Sequence, residues 1–137
     1  TMKLLPELAT IAAMFIVIII LDFLWLGIIT KKFIISEFGS LVKVKDGSIQ
    51  IKLLVGIITW LIIAIGVFIF AVQPHNTLAT TLLYGALFGF ISYAIYDLTN
   101  LTFIAGYPIR FVFVDIAWGT VLCTILSGVG YFIKGLF

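Results

Sequence analysis

The chain has 137 residues, of which 64% are hydrophobic and only 10% are charged, and its mean hydropathy is +1.33. This composition is far from the average of a soluble domain and predicts an integral membrane protein. The net charge of +2 is too small to indicate a nucleic acid partner. The single cysteine, Cys123, excludes an intrachain disulfide and a cysteine-based metal site.

Four apolar runs follow one another along the chain, and each is long enough to cross a bilayer. The first lacks the small-residue cleavage site of a signal peptide and is predicted to be retained. Because the hydrocarbon core offers no water to the backbone, the runs must be helices. We therefore predict an all-α bundle of four transmembrane helices in a single domain, residues 1–137. The predicted spans are residues 8–30, 53–73, 78–104 and 109–133.

The segment between the first two spans combines apolar and basic residues. Apolar side chains recur on one side between Phe33 and Val42, and lysines lie nearby. This pattern is typical of a short interfacial helix attracted to anionic lipid. Membrane lipids are therefore expected partners.

Basic residues are unevenly distributed between the two ends of the predicted bundle. One end carries Lys31, Lys32, Lys43, Lys45, Lys52 and Arg110, and the other carries Lys3 and Lys134. Short cytoplasmic loops are enriched in Lys and Arg. Both termini are therefore predicted to lie outside the cytoplasm.

Three aspartates, Asp22, Asp97 and Asp115, interrupt the first, third and fourth apolar runs. An ionisable residue at the centre of a membrane helix costs roughly 2.5 to 3.5 kcal/mol on insertion scales. Each aspartate lies roughly 10 to 15 Å from the same end of its span, at 1.5 Å per residue. The three carboxyl groups are thus expected in one layer of the bundle, on its cytoplasmic side.

Two of these aspartates share a local pattern with tryptophan. Asp22 precedes Trp25 by three residues, and Asp115 precedes Trp118 by the same interval. Residues three apart lie on one helix face, so each carboxyl group has an indole nearby. The repetition is a weak internal repeat and does not indicate a duplicated fold.

The third span carries a polar stripe formed by Tyr93, Asp97 and Asn100, with Tyr96 beside it. Small residues continue away from the acidic layer on the third and fourth spans: Gly85, Gly89, Gly119, Cys123, Ser127 and Gly130. Small residues at four-residue spacing let membrane helices approach closely. The third and fourth spans are therefore predicted to pack together.

Arg110 is the only basic residue near the three carboxyl groups. It lies five residues before Asp115, on another helix face, and is expected to reach Asp97, Asp22 or a lipid phosphate. The remaining carboxyl groups should be protonated, hydrogen-bonded or bound to a cation.

Three motifs occur together in the chain: Asp-x-x-Trp-x-Gly at 22–27, Tyr-Asp-Leu-Thr-Asn at 96–100 and Asp-x-x-Trp-Gly at 115–119. In combination they resemble a family of small bacterial membrane proteins known as domain of unknown function 2177. The resemblance covers essentially the whole chain and implies a four-helix protein of the bacterial inner membrane. It implies no established activity.

Other features have ordinary interpretations. His75 lies in a polar turn with no second histidine or further cysteine to form a metal site, and Trp60 is assigned to packing or lipid contact. The chain has no glycine-rich phosphate loop, no serine–histidine pair and no intramembrane lysine, and no cofactor is expected.

Three functions of the acidic layer remain open. It binds or transfers a proton, a cation or a small cationic ligand. Alternatively, it acts on a lipid or prenyl head group, as acid and base or through a divalent metal. A third interpretation is structural, with the aspartates joining the helices or a partner membrane protein. A path across so narrow a bundle would require two or more copies of the chain.

Overall fold

The computed structural model describes residues 4–137. Its helices are α1 (Leu4–Leu24), α2 (Lys31–Phe38), α3 (Leu53–Val67), α4 (Leu78–Phe103) and α5 (Ile109–Lys134). Four helical segments are long and apolar enough to cross a membrane: Leu4–Ile29, Leu53–Val72, Leu78–Phe103 and Ile109–Lys134. The predicted all-α bundle of four membrane-spanning helices is confirmed. Lys3, which the topology prediction used, lies outside the described residues.

Two of the spans end in a π-helical segment. α1 continues as Trp25–Ile29 and α3 continues as Phe68–Val72. Such segments are rare in proteins. Where they occur, they are often found at functional sites. The first begins three residues after Asp22, and the second ends at the opposite end of the bundle.

The connection between α1 and α3 contains the predicted interfacial helix and an unpredicted hairpin. The helix is α2, followed by a 3-10 turn at Gly39–Leu41. Strands β1 (Val44–Lys45) and β2 (Ser48–Ile49) then pair antiparallel. Their turn has positive φ at Asp46 (53°) and Gly47 (76°), the conformation that Asp-Gly supplies in tight hairpins.

Helices α4 and α5 pack against each other at their small residues. A Cβ atom on Gly89 would collide with the backbone oxygen of Gly119, and one on Gly85 would collide with the Ser127 side chain. Close approach of the two backbones therefore requires glycine at these positions. The predicted contact between the third and fourth spans is confirmed.

The interior away from the acidic layer is apolar. Met14 and Ile18 of α1 and Leu122 and Leu126 of α5 are fully buried. α3 contacts α1 and reaches α4 and α5 mainly through its π-helical end. The first turns of α3 lie away from this core, since Leu54 is largely exposed.

Candidate functional site

Asp22 forms the centre of a polar junction between three spans. Its Oδ2 accepts a hydrogen bond from Trp60 Nε1 of α3 at 2.7 Å, and its Oδ1 accepts one from Trp118 Nε1 of α5 at 2.8 Å. Both Asp22 and Trp60 are buried. Each carboxyl oxygen thus has a donor, and the two indole N–H groups have an acceptor in an otherwise apolar surrounding.

The Trp25 indole completes this junction from the π-helical segment. Its ring stacks on Trp118 with a centroid separation of 4.3 Å and an interplanar angle of 3°. The π turn therefore places Trp25 over the indole that donates to Asp22. We call Asp22, Trp25, Trp60 and Trp118 the indole junction.

Asp97 and Asp115 form a different arrangement between α4 and α5. The Asp97 Oδ1 accepts a hydrogen bond from the Tyr107 hydroxyl at 3.1 Å, and its carboxyl group lies within hydrogen-bonding reach of the Asp115 carboxyl group. Asp97 is fully buried. Among residues 4–137, no donor reaches its Oδ2. We call Asp97 and Asp115 the carboxyl pair.

Tyr107 lies in the connection between α4 and α5 and contacts Asp97 of the carboxyl pair. Its hydroxyl also accepts a long hydrogen bond from Asn100 Nδ2 at 3.4 Å. Its ring meets Phe38 edge-on at 5.6 Å, and Phe38 contacts Phe111 at 4.7 Å. Burial raises the pKa of the Tyr107 phenol above its usual range, so the hydroxyl stays protonated and can donate to Asp97.

Tyr93 lies between the two centres. A Cβ atom on Gly119 would collide with its ring, so this glycine creates the space that the ring fills. The Tyr93 hydroxyl is within electrostatic reach of Asp22, Asp97 and Asp115. The three carboxyl groups therefore occupy one region of the bundle, although their contacts differ.

Two of the predicted site residues lie apart from this region. Arg110 is 3.5 Å from the Glu37 carboxylate, its side chain is 76% exposed, and its guanidinium lies 5.9 Å from the Phe33 ring. The expectation that it reaches Asp22 or Asp97 is wrong, because the first turn of α5 directs it toward α2. Tyr96 is 60% exposed on the outside of α4.

Two residues of the site were missed from the sequence. Trp60 was assigned to packing or lipid contact, but it is 6% exposed and donates to Asp22. Its position as the only indole of the second span was the available signal. Tyr107 follows a Gly in an irregular connection, and nothing in that spacing indicates contact with Asp97.

Among the described residues, the side chains of this region do not form a recognisable cluster of metal ligands. Within the described part of the chain, no group of three or more His, Cys, Asp and Glu side chains is arranged to hold a metal ion. The arrangement instead offers carboxyl, phenol and amide groups that can exchange or share a proton.

Comparison with known proteins identifies the family. No curated protein and no solved structure matches the chain. Residues 7–132 match the family described as "Predicted membrane protein (DUF2177)". This match covers most of the chain, including the indole junction and the carboxyl pair, so the chain belongs to that family.

Proposed function

We propose that the carboxyl pair is an exchangeable proton-binding site in a multi-pass protein of the bacterial inner membrane. The observation that carries the proposal is that the buried Asp97 Oδ2 finds no donor within residues 4–137, while the Asp97 carboxyl group lies beside that of Asp115. A proton held between Asp97 and Asp115 would complete this contact.

Charge supports the same conclusion. Two adjacent carboxylates repel each other, and the burial of Asp97 penalises its charge further. The nearest candidate counter-charge, Arg110, is paired with Glu37 at the surface. Sharing one proton removes a charge from the interior and supplies the missing hydrogen bond.

The proton would be exchanged from the end of the bundle that carries Tyr107. The hydroxyl of Tyr107 contacts Asp97, and Tyr107 lies three residues before Arg110 at the start of α5. Excess Lys and Arg at this end favours a cytoplasmic location, with both termini outside. Toward the other end, fully buried Met14, Ile18 and Leu126 fill the interior. Transfer across the whole membrane would need a second copy or another membrane protein.

Asp22 is assigned to the framework instead of to proton exchange. Both of its oxygens already accept short hydrogen bonds from indoles on two other spans. This satisfied carboxylate joins α1, α3 and α5, which is the structural role that polar side chains take in membrane bundles.

Infrared difference spectroscopy between neutral and alkaline pH tests the proposal directly, because ordinary carboxyl groups ionise well below neutral pH and do not contribute to the difference. The purified protein in liposomes should show the C=O stretch of a protonated carboxyl group, and this band should disappear in both Asp97→Asn and Asp115→Asn. Asp46→Asn is the matched control, because it removes an exposed carboxylate in the hairpin turn. A parent protein without the band, or variants that both retain it, would contradict the proposal.

A further inference from the structure

A second polar site lies at the end of the bundle opposite the carboxyl pair. The start of α1, the π-helical end of the second span and the last turn of α5 surround a cavity of about 240 Å³. Glu7, Gln73 and Lys134 supply its polar lining, and Phe68 and Phe137 contribute apolar walls. None of these residues takes part in the proposed proton site.

Lys134 is held in place by backbone carbonyl groups. Its Nζ donates to the Val72 oxygen at 3.1 Å and to the Gln73 oxygen at 3.4 Å. The π-helical segment ends at Val72, so no following helical turn supplies N–H groups to these carbonyls. An ammonium group has three donors, and one is therefore left for a further acceptor.

Glu7 brings the opposite charge to the same cavity. Its Oε1 accepts a long hydrogen bond from Gln73 Nε2 at 3.3 Å. Among residues 4–137, the ion pair within 4.0 Å is Arg110 with Glu37, so Glu7 and Lys134 are not in direct contact. A carboxylate can accept about four hydrogen bonds, which leaves Glu7 with unused capacity.

An anionic and a cationic side chain that share a cavity without contact are complementary to a ligand with both charges. The space corresponds to about eight water molecules at roughly 30 Å³ each. This volume is sufficient for a head group of a few heavy atoms. A second hollow of about 460 Å³ lies on the other side of Lys134, beside His75 and Tyr131.

We propose that this cavity binds the head group of a zwitterionic amine phospholipid, with the phosphate at Lys134 and the ammonium at Glu7. The location supports a lipid source, because the ends of membrane spans lie at the level of the head groups. Phe68 and Phe137 then face the start of the acyl chains. Charge-assisted hydrogen bonds at both ends would select the amine lipid over an anionic lipid without an amine.

Lipid retention measured by native mass spectrometry tests this site. The intact protein is compared with Glu7→Gln and Lys134→Gln in detergent containing phosphatidylethanolamine or phosphatidylglycerol. We expect the parent to prefer phosphatidylethanolamine by about tenfold, the ratio given by one charge-assisted contact. Lys134→Gln should reduce retention of both lipids. Glu7→Gln should abolish only the preference.

Lys52→Gln is the matched control, because this exposed lysine lies at the other end of the second span. It should retain the parental preference. Lys134 also donates hydrogen bonds to the end of the second span, so its replacement can impair folding. In that case the lipid preference of Glu7→Gln alone tests the proposal. Equal retention of both lipids by the parent, or a preference that survives Glu7→Gln, would overturn the proposal. Binding of soluble phosphoethanolamine without retention of the lipid would contradict the lipid source.

Discussion

Asp22 and the carboxyl pair lie in one region of the bundle but differ in how their oxygens are satisfied. Asp22 accepts one indole hydrogen bond on each oxygen, at 2.7 and 2.8 Å. Asp97 has one bonded oxygen and one without a donor among the described residues. Both aspartates are buried, so burial alone does not distinguish them. The hydrogen-bond partners separate a carboxylate suited to structure from one suited to exchange.

The difference also concerns which helices are joined. The indole junction links α1, α3 and α5 through side chains of different spans. The carboxyl pair lies between α4 and α5, whose backbones already touch at Gly89 and Gly119. Loss of the first centre therefore removes the side-chain hydrogen bond that joins α3 to α1, whereas the second centre lies in an interface that is held independently.

The largest effect is expected for Asp22→Asn. The amide offers only one oxygen, so one indole N–H would face an NH₂ group and lose its acceptor. Leaving a buried donor unpaired and removing a charged acceptor should lower the free energy of unfolding by about 3 kcal/mol. Unfolding in mixed detergent micelles measures it. Asp46→Asn is the control, since Asp46 is exposed and asparagine tolerates its positive φ. An unchanged stability of Asp22→Asn would remove the structural role assigned to the junction.

Gly119→Ala should have the next largest effect, because its methyl group would displace the Tyr93 ring between the two centres. Overpacking of this kind costs about 2 kcal/mol. Gly27→Ala is the matched control, since a Cβ there meets nothing within 4 Å. Unfolding in micelles compares the two variants. Equal stabilities would mean that Tyr93 moves aside freely.

Trp60→Phe should remove one of the two hydrogen bonds to Asp22 and lower the free energy of unfolding by about 1.5 kcal/mol. The same substitution in an Asp22→Asn background should cost less, because the bond is already impaired. A double-mutant cycle in micelles measures this coupling. Trp25→Phe serves as the control, since Trp25 stacks on Trp118 and forms no described hydrogen bond with Asp22. Additive effects of Trp60→Phe and Asp22→Asn would contradict the bond as the source of stability.

The smallest effect on stability is expected for Asp97→Asn, below about 1 kcal/mol. The new amide can donate to Asp115 while its oxygen still accepts from Tyr107, and one buried acidic group is removed. The unfolding assay applied to Asp22→Asn provides the measurement. A loss as large as that of Asp22→Asn would assign Asp97 to the framework as well.

The four spans could be predicted because composition and run length alone specify membrane helices. The close α4–α5 contact was also readable, since the small residues recur at helical spacing along both segments. The Asp46-Gly47 hairpin was missed although its turn chemistry was present in the sequence. Its strands of two residues each are too short to give an alternating pattern.

The layer of aspartates was predictable, but its division into two centres was not. Spacing along a helix places Trp118 near Asp115, yet the indole of Trp118 donates to Asp22 of another span. Such a choice depends on the rotation and tilt of packed helices, which local periodicity does not specify. For the same reason spacing could not exclude Asp97 or Asp22 as a partner of Arg110, beside the lipid phosphate, and the side chain lies at Glu37.

The indole junction contains every tryptophan of the chain, because the sequence has only three. The tryptophan fluorescence of the protein therefore originates entirely around Asp22, without any introduced label. The parallel stack of Trp25 on Trp118 should also give exciton coupling in the near-ultraviolet circular dichroism. An event that moves α1 relative to α5 would change both signals at once, whereas rearrangement of the loop hairpin would leave them largely unaltered.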